Sequence, residues 1–116
     1  GKYCTEPIIL SNESTALDIT ITANVASTST VRMFYRLSNA DDARNMSNLD
    51  WEPFNSDGTP DKAVEPTENR YQFKEHKYTA NNLTTFTAFQ LKIVMTGTSS
   101  CYPPIIKDLR GIALAV

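Results

Sequence analysis

Histidine is almost absent from this sequence. His76 is the single one in 116 residues, and Cys4 and Cys101 are the only cysteines. Those three side chains fall short of the four Cys or His ligands that a structural zinc ion takes. A Cys–His nucleophile pair finds no supporting residues around it. Glycine is scarce as well, at four, and there is neither a Gly-rich phosphate loop nor a Gly-x-Ser-x-Gly elbow. An excess of one charge is also missing: 11 Lys and Arg against 13 Asp and Glu leave a net charge of −2. That argues against nucleic acid or an anionic membrane surface as partner, since both need a clustered basic footprint. The longest apolar stretch, residues 112–116, is far short of the roughly 20 residues a membrane-spanning helix needs. No charged-then-apolar signal segment opens the chain, and no repeat of solenoid or propeller length occurs.

What is abundant is threonine, with 14 Thr beside 9 Ser and 9 Asn. β-Branched residues fit a pleated, half-buried surface, so this composition leans toward strands. At 41% hydrophobic the chain supports one modest core, which predicts a single domain over residues 1–116. It begins with Gly1 rather than Met, so the expectation is a module of a larger protein.

The period-2 signal supports the same reading. Leu17, Ile19, Ile21, Ala23 and Val25 alternate with Asp18, Thr20, Thr22 and Asn24. Val31, Met33, Tyr35 and Leu37 then alternate with Arg32, Phe34 and Arg36, in a strand read as a hairpin partner of the first. Residues 39–50 lack an apolar stripe and read as a loop with a short turn near Asp41 to Arg44. Residues 51–55 read as a short edge segment, because Pro53 cannot donate to a ladder. Turn formers fill residues 56–61. A strand is expected over 70–79, with Tyr71 and Phe73 on one face. The strongest strand runs over 86–96, where Phe89, Leu91, Ile93 and Met95 alternate with Gln90, Lys92 and Val94. A final strand covers 105–116, and its change of phase predicts a bulge near Gly111. Seven or eight short strands with no helical period predict an all-β fold, an antiparallel, jelly-roll-like β-sandwich.

Several constellations carry chemistry. Cys4 and Cys101 each precede an apolar run, so either a disulfide joining the ends or two free thiols fits the spacing. Asp41, Asp42, Asp57 and Asp61 supply oxygen ligands, but the Asp-x-Asp-x-Asp-Gly loop of a calcium site is absent, so no metal is expected. Three sequons, at Asn12, Asn45 and Asn82, are close to what chance gives for this composition. A carboxylate pair for glycoside hydrolysis needs a cleft, for which so short a chain leaves little material. No catalytic residue and no cofactor are therefore expected. Trp51, Phe54, Phe34 and Tyr102 are aromatics on expected loops, edges or the wet face. Such rings serve a sugar platform, a protein interface or plain packing. The ligand-binding candidates are Trp51, Asn55 and Tyr102. The interface candidates are Arg32, Phe34, Arg36, Lys92 and Arg110, all on expected strands. A Lys92–Asp108 cross-strand pair would set the register of the last two strands.

The stretch Phe86-Thr87-Ala88-Phe89-Gln90-Leu91-Lys92-Ile93-Val94-Met95, a Ser/Thr-rich loop, and Pro104-Ile105-Ile106-Lys107-Asp108-Leu109-Arg110-Gly111-Ile112-Ala113-Leu114-Ala115 together resemble the closing segment of virion structural proteins from contractile-tailed phages of marine bacteria. The same pairing resembles the last two strands of carbohydrate-binding-like jelly rolls on phage tail proteins. The resemblance covers about a quarter of the chain and includes no catalytic residue. It implies a non-enzymatic tail, baseplate or fibre module located in the virion. Its partners would be other virion proteins or copies of itself, or, in the adhesive alternative, a host-surface glycan.

Overall fold

The computed structural model describes residues 1–39, 46–97 and 103–115. Eight strands appear among them: β1 (Lys2–Cys4), β2 (Ile8–Ser14), β3 (Ala16–Asn24), β4 (Ser29–Ser38), β5 (Glu52–Pro53), β6 (Lys74–Ala80), β7 (Phe86–Gly97) and β8 (Ile105–Leu114). They form two antiparallel sheets. The five-stranded sheet runs β1-β7-β4-β5, with β2 sharing the β1 side of β7; the three-stranded sheet runs β6-β3-β8. The expected all-β sandwich is the architecture observed.

Alternation dictates what lies between the layers. Leu17, Ile19 and Ile21 of β3 and Leu91 and Ile93 of β7 are almost wholly buried, together with Met33 of β4. Each such side chain removed from water contributes about 1.5–3 kcal/mol. Tyr78 enters from β6, and the ring of Phe54 lies between Tyr35 at 4.8 Å and Tyr78 at 5.8 Å. Phe54 follows β5 in a short 3₁₀ turn and is fully buried. It is a core residue, where the sequence placed it among loop and edge aromatics. Turn chemistry delivers it: Asn55, Ser56 and Gly58 all have positive φ. Gly58 at φ +86° accepts a bond from the Met33 N–H at 2.9 Å, and a Cβ there would lie 3.0 Å from that of Arg32.

Four local expectations are corrected. β3 and β4 are not a hairpin: β6 and β8 occupy both edges of β3, so the connection carries the chain across to the other sheet. β7 and β8 likewise lie in different sheets, and the Lys92–Asp108 pair does not form. Lys92 is opposite Phe34 and Cys4, whereas Asp108 is opposite Thr22. The irregularity in β8 is at Lys107 rather than Gly111, since Thr22 pairs with Asp108 and Ala23 with Ile106. Gly111 is needed for another reason, because a Cβ there would sit 2.9 Å from Ile19 Cδ1. The sixth strand begins at Lys74, and Tyr71 lies in the preceding turn with its ring exposed.

Loops close the ends of the sandwich through polar anchors. The buried Asn24 side chain donates to the carbonyls of Asn69 at 2.7 Å and Gln72 at 2.6 Å, and Thr67 N–H donates to Val25 O. Asp61 accepts from Thr79 N–H and Oγ1–H, and its own N–H donates to Lys77 O along the edge of β6. The turn expected near Asp41 to Arg44 lies outside the described residues, as do Cys101 and Tyr102. Cys4 is exposed and carries a free thiol.

Candidate functional site

The outer face of the five-stranded sheet gathers most of the interface residues expected from sequence. Burying Val31 and Met33 forces Arg32, Phe34 and Arg36 to the other side of β4. The register then sets Phe34 beside Lys92 and Arg36 beside Gln90 of β7. On the opposite flank, Tyr35 pairs with Glu52, which brings Trp51 alongside Arg36.

The result is a file of alternating cations and rings. The Arg36 guanidinium lies 4.2 Å from the centre of the Trp51 ring. Lys92 Nζ is 5.0 Å from the Trp51 ring and 4.9 Å from that of Phe34. Each contact of this kind is worth about 0.5–1 kcal/mol at a surface. Hydrogen bonds hold the file in place. Arg36 Nε donates to Gln90 Oε1 at 2.8 Å, and Nη1 donates to Leu49 O at 3.2 Å. Gln90 Nε2 in turn donates to Thr5 O at 2.7 Å. Arg32 Nη1 donates to Asp57 O at 3.0 Å. Trp51, Phe34, Arg36 and Lys92 are all half-buried, so the face is packed yet reachable.

A cleft of about 370 Å³ opens beside Arg36, bordered by Tyr35, Asn39, Asp50, Glu52 and Thr85. Two carboxylates, Asp50 and Glu52, therefore share it. Burial, and then the Glu52 charge, push the Tyr35 hydroxyl above its ordinary range. Hydrogen bonds from Thr59 hold Asp57 below the usual aspartate range. At Asp61 burial acts upward, but the bonds from Thr79 and Asn55 outweigh it and the net shift is downward. Among the described residues no group of three or more His, Cys, Asp and Glu is placed to hold a metal ion.

The remaining site expectations are scattered. Asn55 donates to Thr59 O at 2.8 Å and Asp61 Oδ1 at 2.9 Å, so both amide hydrogens serve its own turn. Tyr102 lies outside the described residues. Arg110 belongs to the other sheet, where it pairs with Glu75 at 2.9 Å and Asp108 at 3.3 Å. Sequence reasoning did not find that Gln90 and the Leu49 carbonyl position Arg36. Gln90 was readable only as an outward polar residue, since its partners come from β4 and from the segment before β2.

No protein family, curated protein or solved structure matches this chain. None of these comparisons identifies a phage tail module.

Proposed function

We propose that this chain is a non-enzymatic interaction module that binds another protein through the outer face of its five-stranded sheet. The observation that carries this reading is the file Arg36–Trp51–Lys92–Phe34, held in place before any partner arrives. Trp and Arg dominate the energetic centres of protein interfaces, and side chains already ordered in the free state lower the entropy cost of association. The setting implied by the β7–β8 resemblance is a virion tail or baseplate, where symmetric assembly calls for repeated contact surfaces. A protein partner is favoured over a glycan because the Trp51 ring already carries two cations and the Asn55 amide is engaged within its loop.

The test is site-specific photo-cross-linking from position 34 in the parent assembly, with the cross-linked peptides identified by mass spectrometry. A single defined protein contact, lost in Trp51→Ala, is the expected result. Glycan-array binding by the isolated chain that disappears in Trp51→Ala would overturn the reading in favour of sugar recognition.

A further inference from the structure

The three-stranded sheet ends in β8, and the far edge of β8 has no backbone partner among the described residues. The other sheet edges are shorter or interrupted. Asp61 bonds along β6, β5 is two residues long and includes Pro53, and β1 and β2 are separated by a break containing Pro7. The free N–H and C=O groups of an exposed edge can template pairing with another chain, and on β8 only charged side chains and the irregularity at Lys107 oppose this. β8 has ten residues and two outward isoleucines near its ends, Ile105 and Ile112, which are 44% and 58% exposed. Between them Asp108 and Arg110 also point outward.

We infer that β8 pairs antiparallel with β8 of a second copy, about a two-fold axis through Leu109. The strand is its own complement in this register. Asp108 lies opposite the partner's Arg110, and Arg110 opposite the partner's Asp108. Lys107 is the residue that β8 carries in excess over β3. With Lys107 left out in the same way, Ile105 falls opposite the partner's Ile112, and Ile106 opposite the partner's Gly111. Acid therefore meets base, exposed apolar meets exposed apolar, and a large side chain meets a glycine. Shifting the axis to Asp108 or to Arg110 sets like charges face to face, which is destabilising. A one-residue slip places outward side chains opposite inward ones. These restrictions select a second copy over an arbitrary strand. An interlayer groove of about 500 Å³, lined by Tyr3, Ile93, Met95, Ile106 and Leu109 among others, adjoins this edge. The pairing uses the sheet opposite the aromatic file and stands or falls independently of it.

Sedimentation of the full chain from low micromolar to near-millimolar concentration tests the pairing. Wild type should dimerise reversibly. Asp108→Lys alone and Arg110→Glu alone should each weaken the dimer by about tenfold or more, since both pairs become repulsive. An equimolar mixture of those two variants restores both opposite-charge pairs and should recover near-wild-type affinity as a heterodimer. Circular dichroism checks that each variant is folded. If either is not, amide exchange on wild type decides, with β8 protection expected to rise with concentration. A wild type that stays monomeric, a dimer indifferent to both substitutions, a mixture no tighter than its components, or concentration-independent β8 exchange would each overturn the proposal.

Discussion

The guanidinium of Arg36 lies 4.2 Å from the centre of the Trp51 ring while its Nε donates to Gln90. One side chain thereby ties the segment before β5 to the middle of the sheet. Arg36→Lys keeps the charge but loses the planar fork that stacks and donates in two directions. We expect a loss of about 1 kcal/mol in urea unfolding. Trp51→Ala should cost about 1–2 kcal/mol. An Arg36→Lys variant as stable as wild type would show that the file contributes nothing to folding.

Phe54 is the residue on which the loop and the core depend together. Its ring touches Tyr35 and Tyr78 and is fully buried. Phe54→Ala should destabilise by about 3–5 kcal/mol, as the lost transfer energy and the cavity add. Thermal unfolding followed by circular dichroism measures it, with Phe34→Ala on the outer face expected to cost far less.

Asn24 anchors the 67–72 loop through two carbonyls. Asn24→Ala removes both bonds and should cost about 2 kcal/mol. Local opening should exceed global loss, so trypsin should cleave after Arg70 much faster than in wild type, at a temperature where both proteins remain folded. Unchanged cleavage would mean that the loop is held by other contacts.

His76 is buried on the inner face of β6. Burial, followed by the nearby Lys74 charge, lowers its pKa below the ordinary 6.5. The unfolded chain therefore binds a proton more readily than the folded one. Stability from the neutral imidazole is full above about pH 6.5 and declines as pH falls from there through the folded pKa. Asp57 and Asp61, also shifted downward, add a second decline that begins only below about pH 4. Urea midpoints measured between pH 8 and pH 5 should fall in wild type. In His76→Gln they should be nearly flat over that range, with the decline below pH 4 retained.

Much of the fold is legible in the sequence because strand alternation is local. Leu17, Ile19 and Ile21, and likewise Phe89, Leu91 and Ile93, are inward as their spacing predicts. The outward set Arg32, Phe34 and Arg36 is the complement of buried Val31 and Met33, and it is most of the candidate face. What could not be read was what stands beside those residues. Gln90 reaches Arg36, and Thr5 reaches Gln90, through pairings separated by tens of residues. Trp51 and Phe54 are three positions apart in similar turn-rich sequence, yet one lies on the outer face and the other in the core. That divergence depends on the left-handed turn at Asn55 and Ser56 and on which layer the turn packs against.

By itself, the sequence determined the strand class and the inward or outward sense of most strand residues, since a period of two is a property of neighbouring residues. Tertiary structure alone decided how the strands are divided between sheets. It separated β3 from β4 and β7 from β8, and it set Asp108 opposite Thr22 rather than Lys92. It also moved the irregularity in β8 to Lys107 and left the outer edge of that strand without a backbone partner among the described residues. The physical reason is that pairing is a contest among distant segments for the same hydrogen-bonding edge. The outcome depends on how both layers bury their apolar faces at once, and no short window of sequence contains that.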